Sequence, residues 1–321
     1  MNVTGSESRS LGRSAAAAVA LVAACTLLTA CSGSSSATAK VPGAPAGKGG
    51  GDAASKAIDQ LVAAEKQADT SLMPAGSTAH AIQQRGTLNV GATQTAALFS
   101  LLDPTTGKVE GFDAALWQLL AKYIIGKPEA KLTNVTSATR EALLKNHAVD
   151  AVFATYTITP ERSKVVGFAG PYYSDGLALE VKKDNDSIHT LKDLDGKVVV
   201  TESGSTASAV IKKQAPKAKI QLFDTNTECL QALQQGRADA YILDQGILAG
   251  NASTNPDVKV LSGTYSSEPY GIGLPLDKPD FKKFVNDWLE KIEADGTWAK
   301  LWKNTLGTQV PGPVPTPPKI G

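Results

Sequence analysis

The sequence predicts an α/β protein of two similar units that face each other across a cleft. Three observations carry that prediction. Strand and helix patterns alternate through 87–154 and again through 197–243, giving two α/β units of roughly a hundred residues each with their connections. The order strand, helix, strand, helix, strand within each unit implies a parallel sheet covered by helices on both faces. Two late helical patterns, 281–292 and 298–306, do not extend the second unit and are expected to return to the first.

The elements follow in order. Residues 53–70 place Ile58, Leu61, Val62 and Glu65 at helical spacing, so 53–85 reads as a helical extension ahead of the main fold. A strand is expected over 87–91. Gly111-Phe112-Asp113 opens a helix whose broad apolar face is Leu116, Trp117, Leu119, Leu120 and Tyr123, with Asp113 where the helix dipole favours a carboxylate. A strand over 132–135, a short helix over 141–146 and a buried strand over 150–154 complete the first unit. The second has strands over 197–200, 220–223 and 238–243, with helices over 205–214 and 227–235 between them. The late helix 281–292 turns Phe284, Val285, Trp288, Leu289 and Ile292 inward. In open α/β sheets, ligands bind beyond the carboxyl ends of the strands, so two facing units place a site in the cleft.

The two ends have separate readings. Arg9 and Arg13 precede an apolar run over 15–28, followed by small residues, which is the order of a secretory signal. The run is too short to span a membrane comfortably. It ends Leu28-Thr29-Ala30-Cys31, which matches the lipobox of bacterial lipoproteins. Residues 1–30 are therefore expected to be a lipoprotein signal peptide cut before Cys31, whose acyl chains would hold the protein on the membrane. The plain alternative is an ordinary signal peptide with a chance cysteine. Residues 31–52, rich in Gly, Ser, Ala and Pro, read as a flexible tether, and 308–321 as a proline-rich extended tail.

Composition narrows the function classes. The chain carries a formal net charge of +1. Removing 1–30, with Glu7, Arg9 and Arg13, leaves it near neutral, so nothing argues for a nucleic-acid partner. Three His and three Cys, with no CxxC and no HExxH, give no metal site and no cofactor. With Cys25 in the signal and Cys31 lipidated, Cys229 is alone in the body, and no intrachain disulfide is expected.

Several motifs recur along the body: Arg85-Gly86-Thr87-Leu88, Gly111-Phe112-Asp113, Thr155-Tyr156-Thr157-Ile158-Thr159-Pro160-Glu161-Arg162, Phe168-Ala169-Gly170-Pro171-Tyr172-Tyr173, Leu191-Lys192-Asp193-Leu194-Asp195-Gly196-Lys197, Ser203-Gly204-Ser205-Thr206, Gly236-Arg237-Ala238-Asp239-Ala240, Pro269-Tyr270-Gly271-Ile272-Gly273 and Asp295-Gly296-Thr297-Trp298. In this order and spacing, 85–307 resembles the family 3 extracellular solute-binding proteins, the polar amino-acid receptors of ABC importers. The resemblance implies a type II periplasmic-binding-protein fold. Lobe 1 would comprise 86–177 and 265–307, and lobe 2 would comprise 178–264. It also implies an extracytoplasmic location, an ABC permease and ATPase as partners, a monomer, and no enzymatic role. Ala154 to Ile158, the Cys229-Leu230 helix and Ile247-Leu248-Ala249-Gly250 look most like actinobacterial glutamate-binding lipoproteins. Those relatives often carry a second Cys where Val200 stands here, which is a departure.

An α-amino acid presents a carboxylate and an ammonium. Arg162 is the candidate for the carboxylate, because guanidinium binds it bidentately. Thr159 reads as an N-cap and Pro160 as the first helical residue ahead of it. The plain alternative is a surface Arg pairing with Glu161 or a nearby acid. By resemblance, Thr157 and Thr206 add donors to the same carboxylate, and Asp244, beside the Thr155 carbonyl, takes the ammonium. The alternative for Asp244 is a cap on the next helix. Resemblance also gives Arg140 to a distal carboxylate, hence glutamate or aspartate ahead of glutamine or asparagine; alone it is a helix-start Arg. In the first loop Thr93 stands where the family has an acid and Ala96 where it has an aromatic. Phe99 is expected to pack in the lobe and Glu202 to point to solvent. Rival readings are a sensor lipoprotein of the same fold, a dehydratase acting on prephenate or arogenate, and a degenerate receptor that binds nothing.

Overall fold

A computed structural model describes residues 50–310 and 312–321. The expected signal peptide, Cys31 and the tether up to residue 49 lie outside the described residues. The chain enters through α1 (Gly50–Ala64) and α2 (Thr78–Arg85). The Ser77 hydroxyl accepts the His80 N–H at 3.2 Å to start α2, and Gly86 at φ 69° ends it. Glu65 and Lys291 meet at 3.1 Å, tying this extension to the body.

The first lobe opens with β1 (Leu88–Ala92) and a small ribbon of β2 (Thr95–Ala96), β3 (Ser100–Leu102) and β4 (Val109–Glu110). Then come α3 (Phe112–Ile125), β5 (Ala130–Asn134), α4 (Arg140–Lys145), β6 (Ala151–Phe153) and β7 (Gly167–Asp175). The second lobe holds β8 (Leu177–Lys182), β9 (Val198–Glu202), α5 (Ala207–Gln214), β10 (Lys219–Phe223), α6 (Asn226–Gln234), β11 (Ala240–Asp244), α7 (Gln245–Thr254) and β12 (Val258–Val260). Then come β13 (Glu268–Leu274), which joins the sheet of the first lobe, α8 (Pro279–Ala294) and α9 (Thr297–Asn304).

The two sheets share one plan. The first has order β5-β1-β6-β13-β7 and the second β10-β9-β11-β8-β12. In each, three strands are parallel and a fourth joins them antiparallel. The lobes are linked by two connections. One runs from β7 through Gly176 into β8, and the other from β12 back to β13. They pack tightly: a Cβ on Gly176 would fall 2.7 Å from the Ser266 carbonyl oxygen. The patterning had not marked β2–β4, β7, β8, β12 or β13. β8 is a continuous apolar run broken by Glu180, and β13 carries two glycines, so neither shows strand alternation.

The core is built where the sequence placed its apolar faces. Phe284, Val285, Trp288, Leu289 and Ile292 of α8 are all buried. The Trp298 indole N–H donates to the Tyr172 carbonyl at 2.8 Å, pinning α9 on β7. The tail has no helix or strand over 312–321, but it is not free. Ile320 packs on the core, and the Gly321 N–H donates to the Gly170 carbonyl at 3.1 Å.

Candidate functional site

The cleft is closed by hydrogen bonds between the lobes. Ser137 donates to Glu202 Oε2 at 3.0 Å, and Asn226 donates to the Thr95 carbonyl at 2.9 Å. Small residues on the second lobe permit the approach. A Cβ on Gly204 would come within 2.7 Å of the Ser137 carbonyl oxygen, and one on Gly250 within 2.6 Å of the Ala97 Cβ. Between these walls lies a cavity of about 20 Å³. A single water needs ~10–15 Å³, so an amino acid enters only as the lobes move apart. Thr93, Ala96, Ser137 and Thr155 line it from the first lobe; Glu202 and Asp224 are among those facing them from the second.

Arg162 spans the lobes at one end. It follows Thr159, whose hydroxyl accepts the Arg162 N–H at 3.2 Å, and it opens a 3-10 turn over Arg162–Lys164 rather than a regular helix. Its Nη1 donates to the Thr157 carbonyl at 2.8 Å and its Nη2 to the Gly204 carbonyl of the other lobe at 2.9 Å. The Tyr156 ring centroid lies 5.0 Å from the guanidinium. Among the described residues no ion pair joins Arg162 to Glu161 or to another acid; its guanidinium donates to carbonyls instead.

Thr155 is held in an uncommon conformation. It has φ 43°, in the left-handed region that β-branched residues rarely adopt. Its N–H donates to Asp113 Oδ2 at 2.8 Å, and the Tyr172 hydroxyl donates to Oδ1 of the same carboxylate at 2.8 Å. The Asp113 expected merely to favour a helix start is therefore a fully buried brace for the cleft wall. Burial raises its pKa to about 6, opposed by those two donors and by Arg140.

Asp244 ends β11, is 7% exposed, and makes no capping bond to α7. That cap comes from the other lobe: Asp175, at the end of β7, accepts the Gly246 N–H on Oδ2 at 3.0 Å. The capping alternative for Asp244 is thereby taken by another residue. Its Oδ1 has no partner among the described residues. Burial, and then the charges of Asp175 and Glu268, push its carboxyl well above the usual carboxylate range. Thr206 sits just before α5, and its hydroxyl donates to Glu268 Oε2 at 2.9 Å, so the hydroxyl is already committed.

Two expectations do not match the placement. Arg140 is 3% exposed and lies behind the wall rather than on it. Its Nη1 donates to the Ala154 carbonyl at 2.6 Å, and its guanidinium lies 3.9 Å from the Tyr156 ring centroid. Burial, then the field of Arg162, lowers its pKa to about 10, so it stays charged. Glu202 does not point to solvent; it lines the cavity, and burial raises its pKa while Ser137 and Arg140 oppose the rise. Phe99 is buried as expected, with its ring 5.6 Å from that of Tyr270. Sequence reasoning missed Asp175 and Glu268. The available signal was an acid at each edge of the strands that cross between lobes.

Comparison with known proteins agrees with this architecture. A profile of the bacterial extracellular solute-binding proteins, family 3, matches residues 88–308. The glutamine-binding protein of Geobacillus stearothermophilus is 41% identical over 213 residues, covering 66% of this chain and 81% of that protein. The glutamate-binding protein GluB of Corynebacterium glutamicum is 34% identical over 240 residues, covering 70% of this chain and 80% of that protein. Among solved structures, the L-cysteine solute receptor of Neisseria gonorrhoeae superposes with a TM-score of 0.69 at 29% identity, covering 73% of this chain and 95% of that one. The two lobes, the paired connections and the closed polar cleft thus belong to a chain of the bacterial extracellular solute-binding proteins, family 3.

Proposed function

We propose that the protein is the extracytoplasmic, Cys31-lipidated receptor of an ABC importer, and that it captures an amino acid with an amide side chain, glutamine foremost. Arg162 and the Thr157 region would take the carboxylate, and Asp244 the ammonium. Thr93 and Thr155 would face the side chain. Because Arg162 stands on the first lobe and Asp244 on the second, a bound amino acid favours closure.

The observation that carries the choice of side chain is Glu202 on the cavity wall with the charge of Arg140 behind it. Glu202 lines the cavity, and Arg140 lies behind it, bonded to the Ala154 carbonyl. Their charges offset each other across the wall. A distal carboxylate would meet Glu202 and Asp224 with like charge, whereas an amide offers a donor to Glu202 and an acceptor to the surrounding hydroxyls. This favours an amide over the acidic side chain that Arg140 suggested by resemblance. The glutamine-binding relative supports the same reading. A thermal-shift screen with the twenty amino acids tests it, because a ligand of the native state raises the melting temperature by mass action. The largest rise is expected with glutamine. No rise with any amino acid would sink the receptor reading, and a largest rise with glutamate would sink the amide choice.

A further inference from the structure

We propose that capture of the amino acid releases a proton from a carboxylate cluster at the junction of the lobes, the ligand's ammonium taking the place of a proton held on Asp244 beside Asp175 and Glu268. This rests on the receptor reading above. The three acids come from three strands. Asp244 ends β11, Asp175 ends β7 as the chain leaves the first lobe, and Glu268 begins β13 as the chain returns. The strand register sets Glu268 opposite Asp175 and Asp244 opposite Leu177, two residues beyond Asp175, where the chain passes between the lobes.

Their bonding separates their roles. Asp175 is fixed by the Gly176 N–H at 2.8 Å on Oδ1, and on Oδ2 by the Gly246 N–H at 3.0 Å and the Tyr270 hydroxyl at 3.2 Å. Glu268 accepts from the Ser266 hydroxyl at 2.6 Å and from the Thr206 hydroxyl. Asp244 Oδ1 is left buried without a partner among the described residues. That orphan oxygen points to a cationic donor. A buried carboxylate oxygen without a partner fits an ammonium donor or a proton.

The groups around Asp244 show why a proton is held. Asp175 and Tyr172 face it from β7, and Glu268 and Tyr270 from β13. Glu202 faces it from β9. The cations within reach are Arg162 and Arg140, and both already donate to backbone carbonyls. Neighbouring carboxylates in a buried site do not all stay ionised; they titrate as a group, with some members raised. Burial lifts Asp175 itself to about 6, and Asp244 is lifted further from the same cause, with Asp175 and Glu268 adding to it. When the ammonium arrives, the O–H bond of the Asp244 carboxyl breaks, its proton passes to the buffer, and the oxygen accepts an N–H of the ligand. Nothing is oxidised or reduced.

Two consequences follow from linkage. Binding weakens as pH falls, approaching tenfold per pH unit once the cluster holds a full proton. The heat of binding also depends on the buffer that receives the proton. The test is a calorimetric titration of the full protein with L-glutamine at about pH 6, near where Asp175 titrates, in phosphate and in bis-Tris, which both buffer there. Proton release makes the heat more exothermic in bis-Tris, and the slope against buffer ionisation enthalpy gives up to one proton per ligand. Asp175→Asn keeps an acceptor for the Gly246 N–H but removes a charge, so its slope should be smaller. Clear binding with equal heats in both buffers overturns this proposal alone. If glutamine gives no heat, the titration is repeated with whichever amino acid most raises the melting temperature; no rise with any of the twenty overturns the receptor reading and this proposal with it.

Discussion

Replacing Glu180 with glutamine should stabilise the protein, and the gain should depend on pH. Glu180 lies mid-strand on β8, between Tyr241 of β11 and Val260 of β12, and it is fully buried. Neither carboxyl oxygen has a hydrogen-bond partner among the described residues. Burial raises its pKa from 4.5 to about 8; the Asn251 side chain opposes the rise and Asp257 adds to it. The folded state therefore keeps the proton through the neutral range while the unfolded state loses it. An acid raised in this way costs nothing below its unfolded value, and the cost grows as pH climbs to the folded value. At pH 7 that cost is about 3 kcal/mol. Glutamine is close to isosteric and does not ionise. Glu180→Gln should raise the melting temperature by roughly 6–12 °C at pH 7 for a domain of this size. Near pH 4 the difference should vanish. Thermal melts of both proteins across the acidic, neutral and alkaline range measure it. A difference that is the same at every pH would mean that ionisation of Glu180 is not what burdens the fold.

Arg162→Ala should weaken amino-acid binding by at least ~100-fold, or about 3 kcal/mol, because a desolvated charge loses its partner; calorimetry showing only a small loss would remove Arg162 from the carboxylate. Gly250→Ala separates folding from closure. Alanine is the better helix former by about 1 kcal/mol, yet its Cβ would fall 2.6 Å from Ala97 of the facing lobe. The melting temperature should hold or rise while binding weakens, and unchanged binding would show that the lobes tolerate the extra methyl. Cys31→Ser should move the protein from the membrane fraction to the soluble one; continued membrane retention would count against lipidation.

How far the sequence could be read depends on which force shaped each element. Helices α3 and α8 were legible because a broad apolar stripe at helical spacing is what a packed helix requires. The parallel strands β1, β6 and β11 showed as apolar runs between turns. The connecting strands were not legible. β13 pairs on both sides and crosses at a bulge, so glycine and aromatic residues replace alternation there. In the site, the positions of Arg162 and Asp244 were read through a resemblance to a family, since a lone Arg after a strand and a lone Asp before a helix have ordinary alternatives. The direction in which Arg140 points could not be read, because α4 begins at that residue and turns its guanidinium under Ala154. Asp175 and Glu268 went unseen because their partners are Gly246 and Thr206, both distant in sequence and met only after the lobes fold together.

The most direct test is a paired titration of the protein with L-glutamine and L-glutamate, repeated on Glu202→Gln. Glutamine is expected to bind tighter than glutamate, and removal of the Glu202 charge is expected to narrow the gap. Tighter binding of glutamate by the unaltered protein, or a preference indifferent to Glu202, would contradict the amide reading.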